Sequence, residues 1–513
     1  MHEGKFEIIL TTDRSMMSNH HGKEFLGFMA TGPAIGMPEK LWMWIACPKM
    51  KTDSMGRPWQ APYALRKLET LLQEKGYNAA VIDPDYVNRY LEKAKILMLS
   101  HHDYFALCPP SSEWWVVTKR EPVNVKSFRS FMNSLEIAKA KRQGLKIIAG
   151  GPAAWQWLYR LDLMKNWGID TVVDGEGERI ILDLVEKVYA GEPLPRYVFV
   201  GPNDVPSVKE IPVIKSPSVN GLVEIMRGCP RGCKFCSVTL RPLRHIPLEI
   251  IEQEIIVNVR GGVRSGILHS EDVLLYGARG IRLNPTAVIK LHQMARKHLK
   301  IIGWSHVSLA AIKNAEEEHK LISKIMEIIH ETGTQEYLGV EVGIETGSVK
   351  LAKKIMPAKS APYDPEKWPE IVEDAFAIMH ENNIVPAATL ILGLPEETSD
   401  DVMRTAELLD RLKQYRSLIV PMFFVPMGVL KNKNWFTDVE VRDEHIEVMR
   451  RCLWHSVRWA EEIIETFYLR EPYHRPLKWL LKMFLGYVKR KARETEKKLG
   501  LMPLEVEVAQ RAH

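Results

Sequence analysis

Cysteine is too sparse in this chain to build a disulfide framework. Six cysteines are spread over 513 residues, which excludes the small secreted scaffolds that depend on such staples. No uninterrupted apolar run approaches the ~18–20 residues needed to span a bilayer. The opening Met1-His-Glu-Gly-Lys5 lacks the basic and apolar regions of a secretory leader, so the expected location is the cytoplasm. Charge of one sign is missing too: 70 Lys and Arg stand against 64 Asp and Glu, a net +6. That balance permits a nucleic-acid partner without requiring one, and no RNA-binding motif or extended basic tract accompanies it. What remains is ordinary globular composition, 46% hydrophobic and 26% charged, on a chain long enough for two or three domains.

Against that scarcity, three cysteines fall in one loop, Gly228-Cys229-Pro-Arg-Gly-Cys233-Lys-Phe-Cys236. The C-x3-C-x2-C spacing can aim three thiolates at one inorganic centre, and soft thiolates suit iron–sulfur or zinc. Gly228 and Gly232 let the backbone turn sharply, and Pro230 stiffens it. A structural zinc site is closed by four ligands, and no obvious second Cys/His pair completes one here. A [4Fe–4S] cluster on three cysteines keeps one iron open to a small molecule. Cys47, Cys108 and Cys452 are scattered and read as buried thiols.

The loop, with Phe235 before its last cysteine and an Arg-Gly-Cys-Pro run leading in, resembles the signature of the radical S-adenosylmethionine (SAM) superfamily. The resemblance implies a [4Fe–4S] cluster on Cys229, Cys233 and Cys236, with SAM chelated at the open iron. It also implies reductive cleavage to a 5′-deoxyadenosyl radical that takes hydrogen from an unactivated carbon. A ferredoxin or flavodoxin would supply the electron.

Upstream, short β-rich runs alternate with amphipathic stretches, the pattern of a parallel α/β sheet. Strands are predicted at Phe6–Leu10, Leu41–Ile45, Asn78–Ile82, Ile96–Ser100, Leu145–Ile148 and Thr171–Val173. Asp13–Gly22 and Phe105–Asn124 fit no regular element and read as long loops. The order of "EKGYNAAVID", "IIAGGP" and "DTVVDGEGE" resembles the Rossmann-like cobalamin-binding domain of one branch of the superfamily. By that resemblance cobalamin lies across the strand ends, on the loops Ser100–Phe105, Gly150–Ala154 and Gly175–Glu178. Its expected contacts are Ser100, His101, Gly150, Gly151, Gly175, Glu176 and Gly177. The Asp-x-His-x-x-Gly cobalt-ligand signature is absent, which leaves the lower axial position unassigned, with His101 and His102 as candidates.

From about Leu222 to Val429 strand and helix alternate again, predicting a partial (β/α) barrel with its chemistry at the strand carboxyl ends. Strands are expected at Ile267–His269, Ile301–His306, Tyr337–Ile344, Ala387–Leu392 and Leu418–Val425. The resemblance places Ser270, Glu271 and Asp272 at the SAM amino group, where a carboxylate would meet an ammonium; it does not choose between Glu271 and Asp272. Glu345 would lie near the SAM ribose or methionine, and Phe235 beside adenine. Thr389, Ile391, Gly393 and Glu396 match a degenerate adenine-flanking strand in which threonine replaces the first glycine. Ser305 and His306 are further cavity candidates. The carboxylates of Glu396–Asp401 read as helix capping and surface charge.

Two helices are predicted after Trp435, over Glu447–Tyr468 and Leu477–Lys498. The second is basic and amphipathic, suited to domain packing or to a membrane surface. The expected organisation is a cobalamin-binding domain (1–200), a radical SAM domain (215–435) and a C-terminal helical domain (436–513). The resemblance implies a cobalamin-dependent C-methyltransferase. "TTDRSMMSNHHGKEFLGFMATGP" and "HSEDVLLYG" look most like archaeal members, including those that methylate a glutamine of methyl-coenzyme M reductase. Such a protein partner is the favoured substrate, and membrane-lipid chemistry is the alternative.

Overall fold

Apolar residues at consecutive positions suit strands buried on both faces, the usual state of a parallel sheet. The computed structural model describes residues 6–23, 26–436, 440–469 and 472–501; Met1–Lys5, where the leader reading falls, and Glu24 and Phe25 lie outside them. Six early segments form one sheet: β1 (Ile8–Thr11), β2 (Ala79–Val81), β3 (Ile96–Ser100), β4 (Lys146–Gly150), β5 (Thr171–Asp174) and β6 (Tyr197–Phe199). They are parallel, in the order β2-β1-β3-β4-β5-β6. Ile9, Leu97, Leu99 and Ile147 pack on one face with Tyr104, Phe128 and Trp157. Ile8, Leu10, Ile96 and Met98 pack on the other with Leu65 and Leu72 of α1 (Tyr63–Glu74) and Ile181 and Leu184 of α2 (Glu178–Ala190). The sheet is therefore doubly wound. Its strand order reverses between β1 and β3, and such sheets bind ligands beyond the strand carboxyl ends at that point.

The chain divides into two compact units, one of residues 1–228, 240–270 and 294–302, the other of 229–239, 271–293 and 303–513. Besides the large sheet, the first unit carries β7 (Leu222–Glu224), the antiparallel pair β8 (Met226–Arg227) and β9 (Arg244–His245), and β10 (Ser265–His269). β10 is parallel to β7, and with β11 (Ile301–Trp304) the order is β11-β10-β7. Within this unit Lys67 of α1 is buried 2.5 Å from Glu254 of α3 (Leu248–Arg260), which also accepts from the Tyr63 hydroxyl at 2.6 Å.

The second unit is built on parallel strands β12 (Leu338–Glu345), β13 (Ile384–Leu392) and β14 (Leu418–Phe423). Helix α4 (Ser399–Leu412) begins at a Thr398–Asp401 capping box. Helix α5 (Asp443–Ile463) runs against the edge strand β14, where the Ser456 hydroxyl accepts from the Ile419 N–H and donates to the Ile419 carbonyl, both at 2.8 Å. A covered edge no longer invites pairing by another chain. Helix α6 (Arg475–Lys498) follows. Among the described residues no helix is long and apolar enough to cross a membrane.

Two expectations need correction. Leu41–Ile45 lies in a helix, Glu39–Ala46, that buries Trp42, Ile45 and Ala46; a short apolar run hides that helical spacing. Phe105–Asn124 is not one long loop, since it holds a helix at Ser111–Thr118 and enters another at Val123–Met132. The other predicted strands are present to within three residues at either end.

Candidate active site

The cysteine loop leaves β8 at Gly228, whose φ of +81° and the Pro242 carbonyl 2.5 Å from where a Cβ would sit admit only glycine. Beyond it, the loop is pinned by backbone bonds of 2.9 Å from Lys234 N–H to the Ile355 carbonyl and from Val429 N–H to the Lys234 carbonyl. The Thr239 hydroxyl donates to the carbonyls of Cys233 and Cys236 at 3.2 and 2.9 Å. Arg231 is buried and donates to the carbonyls of Lys359 and Ala361, each at 3.0 Å, and to Asp272 at 3.3 Å. Cys233 is buried, and Cys229 and Cys236 are half-buried. Burial pushes Cys229 up to about 12 and Cys236 up to about 11, and raises Cys233 as well. Thiols so placed are protonated at neutral pH, and a metal centre must displace those protons on binding.

Among the described residues no three His, Cys, Asp or Glu side chains are gathered so as to hold a metal ion. Three cysteines strung along one pinned loop instead match a cuboid cluster, whose irons sit at separate corners with one thiolate each. The donor set thus fits a [4Fe–4S] group.

The neighbouring acids differ in what they touch. Asp272 is buried, accepts from the Ser308 hydroxyl at 2.6 Å as well as from Arg231, and is tied to the loop through that arginine. Burial raises its carboxyl despite Arg231. Glu271 is half-buried, close enough to raise the Cys236 thiol, and makes no hydrogen bond or ion pair among the described residues. Ser270 is buried. Of the three, Glu271 is the side chain left available beside the cysteines.

At the end of β12, Glu345 adopts φ +63° and is buried against the Lys359 ammonium. Burial alone would lower Lys359, but Glu345 and the thiols of Cys233 and Cys236 outweigh it and raise it. Its ammonium also sits 5.9 Å from the centre of the Phe235 ring. A Cβ at Gly343 would fall 2.0 Å from the Glu345 carboxylate and 2.5 Å from the Lys359 ammonium, so this glycine makes room for the pair. On the same sheet Glu341, Gly343, Ala387, Thr389, Ile391 and Met422 are half-buried while their neighbours Val342, Ala388, Leu390 and Leu392 are buried. Register pairs Gly343 with Thr389 and Ile391 with Met422, so one face is filled and the other left partly open. At Gly393 φ is +76° and the Phe436 ring lies 1.8 Å from where a Cβ would be, so packing by itself already requires glycine there. His306 pairs with Glu341 at 2.9 Å.

In the first unit, Ser100, Gly150, Gly151, Gly175 and Gly177 all lie half-buried at the ends of β3, β4 and β5, an accessible backbone rim that a flat macrocycle could meet. Glu176 departs from the expectation of a cofactor contact. Its carboxylate is held by Arg227 at 2.7 Å and Arg244 at 2.5 Å, and Arg227 also reaches Glu178 and Glu224 at 2.7 and 2.8 Å. Burial alone would raise Glu176, but the two guanidiniums hold it below the usual range. His101 is likewise committed elsewhere. Its Nδ1 accepts from the Asp103 N–H at 2.8 Å, and its Nε2 faces Asp13 at 2.9 Å, which leaves neither nitrogen for a metal. His102 is exposed. Sequence reasoning passed over Arg231, whose signal was a charge inside a thiolate loop, and Lys359, which carried no local signal.

Residues 223–409 match the family model described as the Radical SAM superfamily, and this segment is a radical SAM domain. An uncharacterized protein of Methanopyrus kandleri is 30% identical over 196 residues, 37% of this chain and 34% of that one. The tRNA-2-methylthio-N(6)-dimethylallyladenosine synthase of Orientia tsutsugamushi is 23% identical over 206 residues, 39% of this chain and 42% of that one. The chain thus spans less than half the length of these curated relatives. The radical SAM methyltransferase TsrM from Kitasatospora setae, solved with tryptophan substrate and a SAM analog, superimposes with a TM-score of 0.52 at 14% identity, over 80% of this chain and 72% of that one. TsrM has also been solved with cobalamin and a [4Fe–4S] cluster bound. The likeness to TsrM is one of fold.

Proposed function

We propose that this chain is a cobalamin-dependent radical SAM C-methyltransferase acting on an unactivated sp3 carbon of a protein side chain. The observation that carries the reading is a pinned three-cysteine loop with an uncommitted acid beside it, in one chain with a doubly wound sheet whose carboxyl edge is accessible. When bound, the cluster and SAM supply a 5′-deoxyadenosyl radical, and cobalamin supplies a methyl group. The chain's own part is placement. Cys229, Cys233 and Cys236 hold three irons, and Glu271 receives the SAM ammonium as a charge-assisted partner. Arg231 and Asp272 keep the loop in place, and the Lys359–Glu345 pair sets charge beside Phe235. The open face of β12–β14 receives SAM and excludes water around it.

For substrate, the likeness of the Thr11–Pro33 and His269–Gly277 segments to archaeal members favours a glutamine of methyl-coenzyme M reductase, with a ferredoxin or flavodoxin as electron donor. The full chain, reconstituted anaerobically with cluster and cobalamin, is expected to yield 5′-deoxyadenosine, S-adenosylhomocysteine and methylated peptide together. With methyl-deuterated SAM the label should appear in the peptide. 5′-Deoxyadenosine formed on that peptide without label transfer would reject the methylation. One observation favours the lipid alternative: on and just before α6, Tyr473, Trp479 and Met483 are 75%, 61% and 54% exposed beside Lys478 and Lys482, as on interfacial helices. Binding of the full chain to anionic vesicles, weakening with salt, would support it.

A further inference from the structure

Lys234 stands in the chain between two of the cluster ligands, Cys233 and Cys236, yet it is exposed. Its N–H donates to the carbonyl of Ile355, at the end of the short helix Val349–Ile355, and its own carbonyl accepts from the Val429 N–H, both at 2.9 Å. Gly428, with φ +57°, lies so close that a Cβ there would meet the carbonyls of Cys236 and Lys234 at 2.8 and 2.9 Å. The short helix and the chain after β14 are therefore laid directly on the cysteine loop, and both bring lysines. Lys350, Lys353 and Lys354 are exposed on the helix, Lys431 and Lys433 after β14. The helix lysines are answered by Asp401, Glu366 and Glu396 in turn. Lys234, Lys431 and Lys433 make no ion pair among the described residues, so the face carries surplus positive charge. Glu396 is held below the usual carboxylate range by its hydrogen bond to Lys354, with Lys433 and Lys350 adding their charge, which joins the two segments in one patch. Val429 is 63% exposed among them. All of these residues belong to the second compact unit.

We infer that this lysine face is where a small acidic ferredoxin docks to reduce the cluster. The inference rests on the [4Fe–4S] reading above and adds to it the place where the electron enters. Complementary charge steers an acidic carrier onto such a face, and a transient electron-transfer complex needs only a small contact. Position decides the class of partner. A carrier seated here meets the loop whose own backbone bears the ligands, a placement from which a nucleic acid gains nothing. The large apolar side chain exposed on the patch is Val429, not an aromatic platform of the kind on which bases stack. One electron leaves the reduced ferredoxin, which is oxidised, and enters the oxidised cluster, which is reduced. No bond forms or breaks, and no proton moves.

The test is the rate at which the full chain, loaded anaerobically with its oxidised cluster, is reduced in freeze-quenched samples. The donor is a reduced acidic [2Fe–2S] ferredoxin at low salt; photoreduced 5-deazariboflavin, small and uncharged, is the comparison. The readout is the electron paramagnetic resonance signal of the reduced [4Fe–4S] group, which relaxes faster than the donor's and is told apart from it by temperature. Lys431→Glu combined with Lys433→Glu is expected to slow the second-order rate with ferredoxin at least about tenfold. The difference should shrink as salt is added, and the rate with deazariboflavin should stay the same. Lys497→Glu combined with Lys498→Glu, on α6, changes the net charge equally and should leave both rates unchanged. Ferredoxin rates equal in wild type and the first variant, or an equal loss in the α6 variant, overturn the docking face and leave the cluster reading intact. A single-stranded RNA that binds the wild type but not the first variant, with ferredoxin rates unmoved, overturns it in favour of nucleic acid. Failure of the wild-type chain to form a cluster that deazariboflavin reduces overturns both.

Discussion

Glu271 and Asp272 are adjacent acids that the fold uses differently. Asp272 compensates a buried arginine, while Glu271 compensates nothing within the described residues. Removing one partner of a buried ion pair leaves the other uncompensated, so Asp272→Ala is expected to cost about 3 kcal/mol in denaturant unfolding. Glu271→Ala should change stability by less than about 0.5 kcal/mol. It should nonetheless weaken SAM binding to the cluster-loaded protein at least about tenfold, since a hydrogen bond to a charged group is worth about 1.5–3 kcal/mol. Equal behaviour of the two variants in both measurements would contradict this assignment. No local pattern in Ser270-Glu271-Asp272 could have separated these roles, because what separates them is Arg231 and Ser308, distant in sequence.

Elements of the second unit depend on caps and clearances. Asp401 closes the α4 capping box and also accepts from the Ser348 hydroxyl at 2.6 Å. Burial alone would raise it, but the hydrogen bonds from Ser348 and Thr398 and the nearby Lys350 hold it down to about 2. A carboxyl depressed on folding stabilises above its unfolded value, and that stabilisation disappears as pH falls through the folded one. Asp401→Asn is therefore expected to cost about 2 kcal/mol at neutral pH. The gap from wild type should close between about pH 4 and pH 2 in unfolding curves. Clearance matters on β12: Gly343→Ala would drive a methyl into the Lys359–Glu345 pair and should cost about 1–3 kcal/mol, read as a lowered midpoint in urea.

At the scale of the molecule, the two compact units predict two separable footprints. Hydrogen exchange with cobalamin bound should slow amides at 100–103, 150–154 and 174–178. SAM with the cluster should slow those at 229–239, 271–273 and 343–347. Each ligand at about a hundredfold over its Kd should add about 2.7 kcal/mol of apparent stability. Protection confined to one footprint with both ligands present would contradict the division.

Much of the architecture could be read from the chain because it rests on local repetition. Continuous apolar runs such as Ile96–Leu99 suit strands buried on both faces, and three cysteines within one loop are close neighbours by covalent geometry alone. Short runs were less legible: Leu41–Ile45 carries apolar residues that suit strand or helix equally, and packing of Trp42 and Ile45 decides for helix. By itself the sequence determined the parallel sheets, the thiolate loop and the acids near it. Only the tertiary structure decided which acid is committed to Arg231, that Glu176 serves Arg227 and Arg244, that Gly393 yields to Phe436, and that His101 is held by Asp13. The reason is that a side chain's availability is a property of its neighbours in space, and those neighbours come from segments whose distance along the chain conceals them.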